Sequence, residues 1–195
     1  MSVSVRRLTG QAITPYLDAL ADLRIRVFAA FPYLYDGDRH YETEYIREYV
    51  AARDAVLVVA TDGDNAIGAA TAAPMMHQKA EFRAPFETRG IDCRRLFYFG
   101  ESVLLPEYRG QGLGHAFFDH REAHAVECGA TAACFAAVIR PADHPDRPQD
   151  YAPHDAFWPR RGYAPIVGLH SELPWKDIGD SAETVKAMQY WLRQW

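Results

Sequence analysis

The stretch that decides the fold runs from residue 101 to residue 115 and reads ESVLLPEYRGQGLGH. A strand-like apolar pattern ends at Pro106, and glycines at positions 110, 112 and 114 then lead into an amphipathic helix pattern. Glycine lets backbone N–H groups approach a ligand without an intervening Cβ. The start of a helix adds N–H groups without intrahelical partners and the positive end of the helix dipole. The stretch therefore predicts a phosphate or pyrophosphate site, the alternative being a glycine-rich turn that only starts the helix.

Two common phosphate-binding patterns do not fit these glycines. A P-loop requires a lysine directly after its last glycine, and no lysine follows here. The dinucleotide fingerprint G-x-G-x-x-G fails at its last position, where it meets His115 when counted from Gly110 and Phe117 when counted from Gly112. The sequence thus argues against both a P-loop and a dinucleotide-binding site of this type.

Length and composition are those of an ordinary globular domain. The 195 residues favour a single domain, and a content of 49% hydrophobic and 24% charged residues excludes wholesale disorder. No apolar run approaches the roughly 18 residues that a membrane span needs, and the first seven residues lack the apolar stretch of a signal peptide. A net charge of -5 disfavours non-specific nucleic-acid binding. We therefore expect neither a membrane nor a nucleic acid as partner.

The spacing of cysteines and histidines gives no metal-binding or disulfide pattern. Cys93, Cys128 and Cys134 are an odd number without C-x-x-C spacing, which argues against a disulfide framework or a zinc cluster and suits a reducing cytoplasm. Cys134 lies inside an apolar run and is expected in the core. His120 and His124 have a spacing that can bind zinc on a helix, but no third ligand is evident. We expect a solvated helical face there.

The rest of the chain predicts a mixture of strands and helices. Strands are predicted over residues 3–8, 55–61, 66–73, 96–105, 132–139 and 163–173. Helices are predicted over residues 14–27, 41–52, 112–128 and 155–161, with a helix and a loop between 75 and 95. Thr14 and Pro15 are interpreted as the N-cap and the first position of the first helix. Four prolines mark residues 140–153 as an extended loop, and the tail from residue 184 fits either a helix or a strand.

The stretch around the glycines resembles the GNAT superfamily of N-acetyltransferases. The family signature [QR]-x-x-G-x-[GA] is matched by RGQGLG at residues 109–114, preceded by the family-typical V-x-x-P-x-Y at 103–108. Downstream, FWPRRGY at 157–163 is similar to the F-Y-x-x-x-G-F segment of many members. The resemblance implies an α/β fold: a mixed, mostly antiparallel sheet of six or seven strands, flanked by helices and splayed between the fourth and fifth strands. It also implies a single domain over residues 1–195, a strand over 186–193, and a proline-rich insertion between the fifth strand and the fourth helix.

The same resemblance implies acetyl-coenzyme A as co-substrate, with no metal. Backbone groups of Ser102, Val103 and Leu104 would hold the pantetheine arm and polarise the thioester carbonyl. The expected pyrophosphate cradle is made by the amides of Gly110, Gln111, Gly112, Leu113, Gly114 and His115. Arg109 would add positive charge nearby.

The implied activity is transfer of an acetyl group to a primary amine, with a small molecule as the expected acceptor. Two alternatives stay open: a protein or peptide N-acetyltransferase, and a coenzyme A-binding sensor or regulatory domain without turnover. The region that shapes the acceptor pocket in this family corresponds to the aromatic loop 31–35, so Tyr33 and Tyr35 are candidate substrate contacts. A homodimer is possible by analogy with the family.

The chain departs from the family pattern at two catalytic positions. The tyrosine that commonly protonates the departing thiolate falls at Trp158, whose indole cannot do so. A carboxylate that some members carry on the fifth strand falls near Val138. Glu101 is therefore the preferred acid–base candidate, since some members have an acidic residue facing the amine at that place on the fourth strand. Tyr151, and alternatively His154, could stand in for the missing acid.

Overall fold

Seven strands form one sheet. The computed structural model describes residues 2–195, apart from the side chains of residues 48 and 50; Met1, the first residue of the predicted domain, lies outside it. The strands are β1 (Val3–Thr9), β2 (Val56–Asp62), β3 (Asn65–Pro74), β4 (Leu96–Leu104), β5 (Ala132–Val138), β6 (Ala164–Trp175) and β7 (Thr184–Gln194). They lie in the order β1-β2-β3-β4-β5-β7-β6. Neighbouring strands are antiparallel except β4 and β5, which confirms the mixed, mostly antiparallel sheet.

Five α-helices accompany the sheet. They are α1 (Leu17–Phe28), α2 (Arg39–Ala51), α3 (Ala80–Thr88), α4 (Leu113–Glu127) and α5 (Phe157–Arg160). Helices α1 and α2 pack on each other, and α1 also packs on β3 and β4. Helix α4 packs on β2, β3 and β4. Strands β2 and β3 are buried along nearly their whole length, so both of their faces are covered.

The first helix begins later than the sequence pattern predicts. Residues Gly10–Tyr16 form a 3-10 helix, and the α-helix starts only at Leu17. Thr14 was expected to cap an α-helix with its side chain, but instead its carbonyl accepts a hydrogen bond from the N–H of Leu17. This three-residue spacing is the tighter 3-10 pattern, which is common at the ends of α-helices. The prediction of Thr14 as N-cap was therefore wrong, whereas the helix itself is confirmed.

The sheet opens between β4 and β5. Their pairing is limited to Leu96↔Ala132, Phe97↔Ala133 and Tyr98↔Cys134. Beyond Tyr98 the two strands diverge, while β5 remains paired with β7 over all of residues 132–138. The splay expected between the fourth and fifth strands is confirmed, and it leaves one backbone edge of β4 without a strand partner from residue 99 onwards.

The structure shows what the proline-rich segment and the tail form. Residues 139–153 contain neither helix nor strand and connect β5 to the short helices before β6, so the extended loop is confirmed. The tail forms β7, as the family resemblance implied.

All three cysteines are free. Within residues 2–195, no helix combines the length and apolar character that crossing a membrane requires.

Candidate active site

A β-bulge in β4 sets the direction of Glu101. Ala70 pairs with Ser102 and Ala72 pairs with Phe99, so one residue of β3 lies opposite two residues of β4, Gly100 and Glu101. In a regular strand, residues 99 and 101 would share a face. Here the Phe99 ring contacts the α4 residue Phe118, whereas the Glu101 side chain reaches Arg24 on α1. The bulge therefore turns Glu101 towards α1 and α2.

The glycine at the bulge is required by close packing. A Cβ on Gly100 would lie 2.5 Å from Oγ1 of Thr71, a distance that real Cβ atoms essentially never show. Gly100 and Glu101 thus both lie on the side of α1 and α2, which is what an extra residue in one strand produces. A small residue before Glu101 is part of what brings its carboxylate to this place.

Arg24 joins two buried carboxylates. Its Nη1 donates to Oε2 of Glu101 at 2.6 Å, and its Nε donates to Oε2 of Glu42 on α2. The side chains of Arg24, Glu42 and Glu101 are only 12%, 0% and 3% exposed. Burial alone would lower the pKa of Arg24, but the carboxylates outweigh it and hold that pKa above its usual value. The guanidinium also lies over the rings of Tyr45, at 4.6 Å, and Phe28, at 5.2 Å.

Glu42 is a site residue that the sequence analysis did not identify. Its Oε1 is buried and accepts no well-formed hydrogen bond from the part of the chain that the structure describes. The hydroxyl of Tyr35 lies beside this carboxylate; burial and the Glu42 charge together raise the pKa of Tyr35. Glu42, Arg24 and Glu101 together carry a net charge of about -1 when all are ionised. The buried cluster that they form is therefore acidic.

Tyr33 lies close to Arg24 and Glu101, and Tyr151 lies close to Tyr33. Burial raises the pKa of Tyr33 to about 12, the Arg24 charge opposes this rise, and Tyr151 and Glu101 add to it. The Tyr33 ring packs on Phe28 with centroids 4.5 Å apart. The Tyr151 ring comes from the proline-rich loop and meets Phe31 edge-on at 4.7 Å. The structure thus brings the predicted residues Glu101, Tyr33 and Tyr151 into one region, and it places Tyr35 next to it, beside Glu42.

The glycine stretch forms an open surface at the start of α4. Gly110 and Gly112 have φ values of 75° and 82°, and a Cβ on either would meet no atom within 4 Å. The first helical hydrogen bond runs from the Ala116 N–H to the Gly112 carbonyl at 3.1 Å. The amides of residues 113–115 consequently precede the intrahelical ladder, and no side chain caps this end of the helix.

The flanking residues frame this surface. Arg109 and Gln111 are exposed beside it, and the exposed His115 packs on Phe157 of α5 with ring centroids 4.8 Å apart. On β4, Ser102 is exposed, Leu104 is half-buried and Val103 is in the core. Their free backbone edge faces the gap towards β5. The free strand edge beside the gap and the helix start, which we call the track, belong to residues 99–115, a stretch that also contains the bulge at Glu101.

A family model for the acetyltransferase (GNAT) family matches residues 20–148, which is more than half of the chain and includes β4, the glycines and α4. The chain belongs to this family. No curated protein matches it by sequence.

Solved structures share the fold of this GNAT chain at low sequence identity. A PaiA N-acetyltransferase from Thermoplasma acidophilum in complex with coenzyme A has a TM-score of 0.55 and 13% identity, covering 100% of each chain. A ribosomal-protein-alanine N-acetyltransferase from Brucella melitensis has a TM-score of 0.62 and 14% identity, covering 98% of this chain and 99% of its own. An aminoglycoside 6'-acetyltransferase type Ii has a TM-score of 0.57 and 15% identity, covering 100% and 97%. The GNAT fold and an acyltransferase class are therefore confirmed.

An aromatic cluster of this GNAT chain surrounds Trp158, the position at which the family resemblance predicts a tyrosine. Trp158 on α5 packs against Phe135 of β5 at 5.0 Å and Trp191 of β7 at 4.9 Å. His154 lies 6.0 Å from the Trp158 ring, and burial and the Arg109 charge lower its pKa. Trp158 thus has a packing role between β5, β7 and α5.

Arg121 is a second buried arginine, and no pattern in the sequence singles it out. It lies on α4 and donates to the carbonyls of Thr71 at 3.3 Å and Glu101 at 3.4 Å, the two residues on either side of the bulge. Its guanidinium packs over the rings of Phe99, at 4.4 Å, and Phe118, at 4.8 Å. Burial lowers its pKa to about 10. Arg121 supports the bulge from the face opposite to Arg24.

The prediction of a solvated face at His120 and His124 was wrong for His124. This side chain is buried, shares a hydrogen bond with the Asp54 carbonyl at 2.9 Å and packs on Phe97 at 5.9 Å. The helix turns it onto the sheet, so it has a structural role. Within the described residues, no three His, Cys, Asp or Glu side chains are grouped so that they could hold a metal ion.

Proposed function

We propose that this chain is an N-acetyltransferase that moves the acetyl group of acetyl-coenzyme A to the primary amine of a small molecule. One observation carries the proposal: a single strand–helix unit contains the open glycine surface, the free edge of β4 and a buried carboxylate, Glu101, that pairs with Arg24 and lies near Tyr33. The track, suited to a phosphorylated chain, and a group suited to an ammonium ion therefore belong to the same unit.

The residues of the track suit the co-substrate by their chemistry. The amides of residues 110–115 and the positive end of α4 would hold the pyrophosphate, with Arg109 adding charge; the open space at Gly110 and Gly112 leaves room for it. The free edge of β4 at Ser102, Val103 and Leu104 would bind the pantetheine amides as a neighbouring strand would. When bound, acetyl-coenzyme A supplies the acetyl group as a reactive thioester.

Glu101 is proposed to bind the ammonium of the acceptor and to receive its proton. An ammonium cannot attack a carbonyl, so the proton must leave first. The hydrogen bond from Arg24 to Oε2 fixes the carboxylate in the pocket. Tyr151 is proposed as the acid that protonates the departing thiolate; its hydroxyl carries a proton at neutral pH, and burial raises its pKa further.

The acceptor is proposed to be a small cation held between aromatic rings. Glu42 and Glu101 give the pocket two negative charges against the one positive charge of Arg24. Tyr33 and Tyr35 line it and can pack on the carbon atoms or the charge of the amine. The names of the structural neighbours include both a protein-directed and an aminoglycoside-directed enzyme, so they do not choose between acceptor classes.

A coenzyme A-binding sensor without turnover is the second candidate, and Trp158 at the usual tyrosine position favours it. The test is release of free coenzyme A thiol from acetyl-coenzyme A, measured across panels of small amines, amino acids and peptides. The enzyme proposal expects acceptor-dependent release with a small cationic amine. Release only with peptides would replace the acceptor class. Tight binding of acetyl-coenzyme A without acceptor-dependent release in any panel would favour the sensor.

A further inference from the structure

Arg140 ties together three segments that are distant in the sequence. It follows β5, and its side chain is only 9% exposed. Its Nε donates to the carbonyl of Pro32 at 2.7 Å, and its Nη2 donates to the carbonyl of Tyr33 at 2.7 Å. The same guanidinium forms a two-pronged ion pair with Asp177, with distances of 2.7 Å from Nη1 to Oδ2 and 2.9 Å from Nη2 to Oδ1. All three nitrogens of one side chain are thereby in use.

Asp177 lies in the connection between β6 and β7 and is held from a second side. Nζ of Lys186, on β7, is 3.0 Å from its Oδ1. Lys186 also donates to the carbonyl of Trp175 at 2.5 Å and to Oγ1 of Thr184 at 2.6 Å. Arg140, Asp177 and Lys186 therefore form one buried unit held by ion pairs, which we call the clamp.

The loop held by this clamp is the aromatic loop of the acceptor pocket. Besides Arg140, the indole of Trp175 donates to the Tyr33 carbonyl at 3.1 Å. The Asp36 N–H donates to the Lys176 carbonyl at 2.9 Å, and the Ile178 N–H donates to the Leu34 carbonyl at 2.7 Å. The backbone on both sides of Tyr33 is thus fixed against the β6–β7 connection. Because a tyrosine side chain has few rotatable bonds, the place of its hydroxyl follows from the place of its backbone.

We infer that Arg140 is a positioning residue for the acceptor site and that it acts through Tyr33. Arginine is needed because a planar fork with several N–H groups can meet a carboxylate and two carbonyls at once, which a lysine ammonium cannot do in this geometry. Since Arg140 directly follows the splayed strand β5, the clamp also joins the co-substrate gap to the acceptor loop. The inference rests on the proposed role of Tyr33 as an acceptor contact.

Arg140→Lys tests this inference, because it keeps the positive charge and loses the fork. We expect the KM for the acceptor to rise roughly tenfold or more, as the loss of one charge-assisted hydrogen bond implies, while the Kd for acetyl-coenzyme A stays within about twofold. Asp177→Asn, which keeps the shape and weakens the pair, should change the acceptor KM in the same direction. The matched control is Arg89→Lys: Arg89 also donates to two backbone carbonyls, Val167 at 2.8 Å and Gly168 at 2.6 Å, but near the opposite end of β6.

Hydrogen exchange gives a readout that does not depend on turnover. The amides of Tyr35, Asp36 and Ile178 should exchange faster in Arg140→Lys than in the natural protein, and those of α4 should not. The inference would be overturned by an unchanged acceptor KM in a folded Arg140→Lys protein. It would also be overturned if Arg89→Lys raised the acceptor KM by the same factor. Unchanged exchange of these three amides would do the same, even if no acceptor is found. Failure of the proposed function would show differently, as faster loop exchange in a protein that acetylates no amine.

Discussion

The Arg24 guanidinium and the Glu101 carboxylate meet at 2.6 Å across the interface between α1 and the bulge of β4. Both side chains are almost fully removed from solvent, and Glu42 lies on the other side of Arg24. A buried ion pair is costly to break because removing one partner leaves the other charged and unpaired. This relationship therefore links the stability of the α1–α2 layer to the geometry of the acceptor pocket.

Arg24→Met should destabilise the protein strongly. It leaves Glu42 and Glu101 buried without a cation, so the free energy of unfolding should fall by roughly 3–5 kcal/mol. Arg26→Met is the control on the same helix: Arg26 pairs with Glu107 at 3.4 Å with both side chains more than half exposed, and its loss should change stability by less than about 1 kcal/mol. Urea unfolding measures both. Equal losses of unfolding free energy in the two variants would show that the buried ion pair stabilises the protein no more than the exposed pair does.

Glu101→Gln should remove turnover and leave co-substrate binding intact. The amide keeps the shape of the side chain but cannot accept the proton of an ammonium, so kcat/KM near neutral pH should fall roughly a hundredfold or more. Glu122→Gln is the matched control, because Glu122 also lies between two arginines, Arg161 at 2.7 Å and Arg193 at 2.8 Å, outside the acceptor pocket. Steady-state kinetics and calorimetric binding of acetyl-coenzyme A give the two values. Natural turnover in Glu101→Gln would take Glu101 out of the reaction.

Gly112→Ala should weaken the binding of coenzyme A roughly tenfold or more. The added Cβ enters the open space in front of the helix start, where the pyrophosphate is proposed to lie. Gly129→Ala controls for backbone strain: Gly129, at the other end of α4, has the same φ of 82° and likewise no atom near its Cβ position. Both variants should lose about 1–2 kcal/mol of stability, and only Gly112→Ala should lose affinity in calorimetry. Equal affinities would contradict the proposed cradle.

In Tyr33→Phe, the free energy of unfolding should fall less steeply as the pH rises above 10. The pKa of Tyr33 is raised to about 12, whereas an unfolded tyrosine ionises near 10. Between these values the folded chain keeps a proton that the unfolded chain has lost, so the Tyr33 contribution is complete below pH 10 and declines as the pH rises towards 12. Tyr33→Phe should remove about 1 kcal/mol per pH unit from this slope in urea titrations between pH 10 and 12. Tyr41→Phe, at a tyrosine 57% exposed, should leave the slope as it is.

Most of the secondary structure and the glycine surface could be predicted because both depend on local patterns. The continuous apolar run at 132–139 predicts a strand covered on both faces, and β5 is found there. The glycines at 110 and 112 predict an open backbone, and no atom lies within 4 Å of a Cβ at either position. The β7 assignment is different: its pattern fits a helix equally well, and the family resemblance resolved it.

The interior of the acceptor site could not be predicted in the same way. A bulge is a mismatch between two strands, so the pattern of β4 alone does not contain it. Glu42 lies on a helix rich in charged residues, and nothing in its local sequence distinguishes it from its solvated neighbours. Arg140 and Asp177 are 37 positions apart, and their pairing depends on the path of two loops. These residues are recognisable only when segments from different parts of the chain meet.

The splay that opens β4 from β5 also has a consequence for synthesis and folding. Strand β5 is almost wholly apolar, and its full-length partner is β7, which follows it in the chain only after β6 and two loops. As the chain emerges from the ribosome, β5 can pair early with only three residues of β4. Its opposite edge, over all of residues 132–138, stays open to other chains until β7 arrives, and such edges are where aggregation starts. The short pairing of β4 with β5 that creates the gap thus also leaves β5 weakly held until the end of the chain has been made.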